Sequence, residues 1–193
     1  MINPLYEPFP ETVTADGVEY PILTDFREWI RFADMLNDKA IADRTKLVLM
    51  TQWFEITPER ITGELFKAVV AFYRADALEP EKSQDDDCCD DDIVQRPPLL
   101  DWKYDAKYII GDFLRCYGID LLTAEMHWWR FRCLFSALPE DSTVQKRIAY
   151  RSVDAGIIKN EKERQRILAI QRQIAIPFEY DEDMIAAALK GTM

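Results

Sequence analysis

Between Thr12 and Leu23, apolar and polar side chains alternate along the chain, which is typical of strands with one buried face. Asp16-Gly17 lies midway, and this dipeptide tolerates the positive φ angles of a tight hairpin turn. The pattern therefore predicts a small β-hairpin. Because a lone hairpin is only marginally stable in water, we expect it to dock on the helices that follow.

From residue 24 onward, the apolar positions recur at the three- and four-residue spacing of helices, with capping residues at several starts. The predicted helices are one capped by Thr24, one over 43–54 with an unusually apolar middle, one beginning at Thr57-Pro58, one from Asp101 to a stop at Gly118, and then 123–138, 143–153, Asn160 to Ile174, and 182–190. The predicted fold class is therefore mainly α, a helical bundle with a small N-terminal β-hairpin.

Residues 76–100 interrupt the helical pattern. Asp85–Asp92 contains six aspartates that repel one another, and prolines flank this run. This composition predicts a mobile acidic loop or flexible linker over 76–100. It would separate an N-terminal unit, 1–75, with the hairpin and three helices, from a C-terminal helical unit, 101–193. The alternative left open is that 1–75 and 101–193 form one continuous domain.

The charge balance limits the classes of partner. The chain has 24 basic and 35 acidic residues, a net charge of −11, which argues against binding to nucleic acid because phosphate affinity comes from clustered Lys and Arg. The longest apolar run, Leu47–Met50, is far shorter than the ~20 residues that span a bilayer. No secretion leader is visible at the N-terminus. These features predict an intracellular protein that does not enter membranes, with reduced cysteines.

Catalytic and cofactor motifs are missing from the sequence. The single histidine, His127, is followed by Trp128 and Trp129, which favours a packed, hydrogen-bonded imidazole over a catalytic one. The six glycines are scattered, so no phosphate-binding loop is formed. No zinc spacing is present, and the acidic run lacks the Gly and distal Glu of a calcium loop. We therefore expect no enzymatic activity, no cofactor and no bound metal.

One segment has the composition of a protein-binding surface. Trp and Arg dominate interface hot spots, and both types occur in Trp128-Trp129-Arg130-Phe131-Arg132. Adjacent residues on a helix point about 100° apart, so at least one tryptophan is expected in the core while the other faces a partner. The candidate protein-binding residues are Tyr117, Trp128, Trp129, Arg130 and Arg132.

Several motifs resemble a family of siphophage tail-operon proteins from phages and prophages of Gram-positive bacteria. The resemblance is strongest over 101–153 and rests on Tyr104-Asp105-Ala106 through Phe113-Leu114, Tyr117–Leu121, His127–Phe131, Leu138–Asp141 and Tyr150-Arg151. Such proteins are similar to tail-assembly chaperones, and the family has no catalytic residues to transfer to this chain.

The resemblance implies a role in phage tail morphogenesis through protein binding. A chaperone of this kind would coat the tape-measure protein in the bacterial host cytoplasm, keep it soluble, and give way as subunits of the major tail-tube protein polymerise. Several copies would act together, so a homo-oligomer is expected as one state. Two alternatives remain: a minor structural component of the mature tail, and an acidic nucleic-acid mimic that inhibits a basic DNA-handling enzyme.

Overall fold

The computed structural model describes residues 2–78 and 97–177. Over these residues the chain forms one antiparallel hairpin and seven α-helices, which confirms the predicted mainly α fold. In chain order the elements are β1 (Thr12–Ala15), β2 (Val18–Pro21), α1 (Phe26–Asn37), α2 (Asp43–Leu49), α3 (Gly63–Arg74), α4 (Ala106–Tyr117), α5 (Trp128–Ser136), α6 (Thr143–Ser152) and α7 (Glu161–Ile174).

Contacts between Cα atoms divide the chain into two compact units. Among the described residues, unit 1 comprises 2–78 and 123–137, and unit 2 comprises 97–122 and 138–177. This division differs from the predicted one, because 123–137 belongs with the N-terminal residues and not with 101–193. The physical reason is that the aromatic side chains of α5 pack against α1 and α3. The run Asp85–Asp92 and the predicted helix 182–190 lie outside the described residues.

The hairpin is formed as predicted. Ala15 pairs with Val18, so Asp16 and Gly17 make a two-residue turn, and their φ angles of 52° and 76° are both positive, as a type I′ turn requires. One face of β1 is buried by Val13 and Ala15. That face packs against α3, which provides the docking that a lone hairpin needs.

Several helices begin at residues other than the predicted ones. Asp25, not Thr24, caps α1, because its carboxylate accepts a hydrogen bond from the backbone N–H of Arg27 at 2.9 Å. The predicted start of α3 at Thr57-Pro58 is wrong. Thr62 is the cap, since its hydroxyl accepts from the N–H of Leu65 at 3.1 Å.

In the rest of the chain, some helix ends differ from the predicted ones and others agree with them. The range predicted as 43–54 contains α2 followed by a 3-10 turn over Met50–Trp53. α4 begins at Ala106 instead of Asp101, and α5 begins at Trp128 instead of residue 123. Gly118 ends α4 with a φ of 65°, as predicted, and Asn160 caps α7, as predicted.

The core of unit 1 is built from aromatic rings on α1, α3 and α5. Trp29 of α1 lies 4.7 Å from Phe72 of α3, measured between ring centroids, and Phe26 stacks on Phe131 of α5 at 4.8 Å. The indole N–H of Trp29 donates to the carbonyl of Leu23 at 2.7 Å. Large apolar rings and satisfied indole donors together make this a dense core.

Unit 2 is organised around two buried carboxylates, one just before α4 and one within it. Asp112 accepts a hydrogen bond at 2.8 Å from the backbone N–H of Val144, in the first turn of α6. Asp105, which precedes α4, is paired with Arg147 and Arg151 of α6. Because buried carboxylates require such partners, these contacts fix α6 against α4.

Candidate protein-binding surfaces

Trp128 and Trp129 are both buried, with 0% and 3% of their surface exposed. The indole of Trp128 donates to the carbonyl of Tyr73 at 2.8 Å, and that of Trp129 donates to the carbonyl of Phe72 at 2.8 Å. These carbonyls belong to the last turn of α3, where acceptors lack the N–H four residues further on, although that of Phe72 also accepts from the N–H of Ala75 at 3.0 Å. The two indoles therefore satisfy the C-terminal end of α3, and neither presents a surface to a partner in this structure.

The two arginines of the same segment differ in their surroundings. The guanidinium of Arg132 is half-buried, 3.4 Å from the carbonyl oxygen of Tyr73 and 5.7 Å from the centre of the Trp128 ring. A cation at the C-terminal end of a helix is stabilised by the helix dipole. Arg130 is exposed, and no ion pair or hydrogen bond is described for its side chain. Of the two side chains, only that of Arg130 is exposed.

His127 is packed and hydrogen-bonded, in agreement with the prediction. Its Nδ1 accepts from the backbone N–H of Trp129 at 3.0 Å, so it caps α5, and Nε2 lies 3.0 Å from the carbonyl oxygen of Pro10. Nε2 must then carry the proton and donate to that carbonyl. Burial lowers the pKa of His127, although the Pro10 carbonyl and the nearby Glu11 act in the opposite direction.

Tyr117 belongs to unit 2, whereas the other four candidate residues belong to unit 1. It is the last residue of α4, and its half-buried ring packs edge-on against Phe113 at 5.6 Å. Burial raises the pKa of its phenol, and the neighbouring Cys116 raises it further. The assignment of these five residues to partner binding stays a prediction.

Unit 1 has an apolar groove beside α2, which we call the α2 groove. Its cavity measures about 510 Å³ and lies between the end of α1, the helix α2 and the start of α3. The apolar walls are formed by Leu36, Leu47, Ile61 and Phe66. α2 buries none of its residues, and Leu47 is 37% exposed. Apolar side chains that stay exposed around a concave surface are a feature of interaction sites.

Among the described residues that line the α2 groove, Lys46 is the one that carries a positive charge. The ammonium of Lys46 donates to the carbonyl of Leu36 at 2.7 Å, at the C-terminal end of α1, and lies 4.0 Å from the carboxylate of Asp43. Lys46 and Asp43 balance each other, so apolar contact dominates the recognition that this groove offers.

The sequence contains one signal for the α2 groove. Leu47-Val48-Leu49-Met50 is a continuous apolar run, and a short helix cannot bury such a run on one side because successive residues are about 100° apart. Some of these side chains must therefore face outward. The opposite walls, Ile61 and Phe66, are brought to α2 only by the tertiary fold and carry no such signal.

Neither a metal site nor a membrane span is found in the part of the chain that the structure describes. No group of three or more His, Cys, Asp or Glu side chains is placed to hold a metal ion. No helix there combines the length and the hydrophobicity that crossing a bilayer requires.

Comparison with known proteins places the chain in a phage family. The sequence pattern of the Bacteriophage Gp15 protein family matches residues 5–176. The chain therefore belongs to this family, and the predicted resemblance to a family of bacteriophage proteins is confirmed. A Gram-positive host and a chaperone role stay predictions. No curated protein and no solved structure matches the chain.

Proposed function

We propose that this phage protein acts in tail morphogenesis by binding other proteins, as an assembly chaperone for the tape-measure protein. The observation that carries the proposal is the α2 groove, whose apolar walls, Leu47 of α2 among them, stay partly exposed in unit 1. Amphipathic helices bind to such grooves through apolar anchors at three- and four-residue spacing.

A non-catalytic role in the host cytoplasm is part of the same proposal. The only imidazole, His127, serves as a helix cap, and both of its ring nitrogens have backbone partners. The net charge of −11 would help to keep a complex with an apolar client in solution. We expect the tape-measure protein to be the main partner, and the tail-tube protein to compete with this chain as the tube grows.

Co-expression with the tape-measure protein from the same genome tests the proposal. The full chain carries an affinity tag, and we expect the tape measure to become soluble and to co-purify with several copies of this protein. A tape measure that aggregates as it does alone would rule out the chaperone role. Detection of the chain in purified virions would instead support the minor structural component.

Substitutions in the lining separate the groove from the rest of the surface. Leu47→Asp and Ile61→Asp place a charge on the proposed contact, and burial of one such side chain contributes about 1.5–3 kcal/mol. Capture should therefore weaken by roughly 10- to 100-fold. Leu5→Asp, at an exposed site of unit 1 outside the groove, is the matched control. Equal capture by all three variants would exclude the groove as the binding site.

A further inference from the structure

The two-stranded sheet of unit 1 has a third strand position that the chain fills only in part. Residues 53–55 pair with the end of β2, since the N–H of Leu23 donates to the carbonyl of Trp53 at 2.9 Å. The N–H of Glu55 donates to the carbonyl of Pro21 at 3.0 Å. In the described residues, no backbone pairing with β2 continues beyond Glu55.

The unpaired backbone groups can be located from the hydrogen-bond alternation. The N–H of Ile22 donates to the carbonyl of Glu11 at 3.0 Å, so the hydrogen-bonding groups of Ile22 face the strand that contains β1. Because successive residues in a strand direct their hydrogen-bonding groups to opposite edges, Pro21 and Leu23 face outward, as their bonds to 53–55 require. Glu19 faces the same outer edge. No described residue is hydrogen-bonded to its N–H and C=O there.

A groove lies along this edge, which we call the β2-edge groove. Its cavity measures about 420 Å³ and is bounded by β2 on one side and by residues 56–60 on the other. Ile56 is 70% exposed and Pro58 is buried. The N–H of Glu55 faces β2, so by the same alternation Thr57 would be the next residue to pair, but no hydrogen bond joins Thr57 to Glu19.

The side chains around the groove indicate which occupant fits. Val18 and Tyr20 line it on one face of β2, and Glu19 lies on the opposite face, because side chains alternate along a strand. Glu59 and Arg60 lie on the far wall, so the lining holds two acidic side chains and one basic side chain. No ion pair is described for Glu19. An incoming strand would therefore meet apolar surface at alternate positions and a free carboxylate between them.

We propose that the β2-edge groove binds an extended segment of a partner protein in which apolar residues alternate with Lys or Arg. The segment adds to β2 as a strand, and its backbone pairs with the N–H and C=O of Glu19. The residue opposite Glu19 points to the same face as that side chain and is basic. This mode of binding by strand addition is independent of the α2 groove and of helix capture there.

Backbone exchange in the full-length protein tests the proposal. The probe is an acetylated six-residue peptide in which Lys and Val alternate, titrated into the ¹⁵N-labelled chain. We expect hydrogen exchange at the Glu19 amide to slow by at least about tenfold when the peptide is bound at millimolar concentration. An unchanged exchange rate at Glu19 over that range would overturn the proposal.

Two N-methylated peptides distinguish strand addition from simple charge attraction. Methylation of the backbone nitrogens of the Lys residues removes the N–H that pairs with the carbonyl of Glu19, and affinity should fall at least tenfold. Methylation of the backbone nitrogens of the Val residues changes N–H groups that face away from β2, and binding should persist. Equal binding by both peptides, which have the same charge, would contradict backbone pairing.

Two charge variants and the oligomeric state of the protein without peptide complete the test. Glu19→Lys should weaken peptide binding at least tenfold, whereas Glu125→Lys, an exposed residue of unit 1 outside the groove, should leave it unchanged. Equal weakening by both variants would overturn the site. Protection of the Glu19 amide in a dimer without peptide would mean that a second copy occupies the edge, and would overturn the assignment to a partner protein.

Discussion

Replacement of Asp105 by alanine should strongly destabilise unit 2. The carboxylate is fully buried and accepts hydrogen bonds from Nη1 and Nη2 of Arg151 at 2.6 and 2.9 Å and from Nε of Arg147 at 2.9 Å. The side chain of Arg151 is itself only 6% exposed, so Asp105→Ala leaves a guanidinium buried without its counter-charge. Breaking such a pair costs about 3–5 kcal/mol.

The loss of stability is expected throughout unit 2 because Arg151 links several of its segments. Besides Asp105, its guanidinium donates to the carbonyl of Leu99 at 2.8 Å and to that of Ile174 at 2.9 Å. Once the Asp105 carboxylate is removed, these two hydrogen bonds alone must stabilise the buried guanidinium of Arg151. Native-state hydrogen exchange of the α4 and α6 amides measures the effect within unit 2, and protection there should fall by about 100-fold or more.

Two further variants test the reasoning. Asp141→Ala removes an exposed carboxylate of unit 2 near the start of α6 and should cost no more than about 1 kcal/mol. Asp105→Leu combined with Arg151→Met removes the carboxylate and the more deeply buried of its two arginines, and should be more stable than Asp105→Ala. A loss below about 1 kcal/mol in Asp105→Ala would refute the account, because a buried pair cannot be broken so cheaply.

The same ion pair predicts an acid-dependent stability. Burial alone would raise the pKa of Asp105, but hydrogen bonds from Arg151 and Arg147 outweigh it and hold the pKa below its ordinary value. The carboxylate therefore stabilises the folded state above the unfolded pKa of ~3.9, and this contribution is lost as the pH falls further. In Asp105→Asn the protection of unit 2 should lose this dependence below about pH 4.

Three other predictions concern single residues. Because the pKa of His127 is lowered in the folded unit, its contribution to the stability of unit 1 is complete above the unfolded pKa of ~6.5 and decreases as the pH falls below it. His127→Asn, which keeps a cap acceptor, should remove that slope in urea titrations followed by tryptophan fluorescence. Gly118→Ala should cost about 1–2 kcal/mol in urea unfolding of unit 2, because its φ is 65°; no loss would contradict the left-handed conformation. Thr62→Ala should lower the stability of unit 1 by about 1 kcal/mol and Thr57→Ala by much less; equal losses would contradict the assigned start of α3.

Local signals explain which parts of the fold were predictable. The Asp16-Gly17 turn, the Gly118 stop and the Asn160 cap each depend on residues within one turn of the chain, and all three were predicted correctly. The start of α3 depends on a distant contact. The hydroxyl of Thr62 donates to the carboxylate of Asp16 at 2.7 Å, and residues so far apart in sequence give no local signal for their pairing.

The candidate surface was less predictable than the fold. The composition of the Trp128–Arg132 segment is that of an interface, yet both indoles are directed to carbonyls at the end of α3. Nothing in the sequence indicates that these acceptors lie beside α5. The same holds for the α2 groove and for the β2 edge, since each is formed by segments that meet only in the folded unit.

The late position of α5 in the chain has a consequence for synthesis on the ribosome. Unit 1 needs Trp128 and Trp129 to close over the end of α3, so it is incomplete until residue 137 has emerged. At the usual ~5–20 residues per second, the stretch from residue 78 to residue 137 takes on the order of several seconds to make. For that time the nascent hairpin and α1–α3 lack part of their core, and apolar surface that the finished unit buries stays exposed.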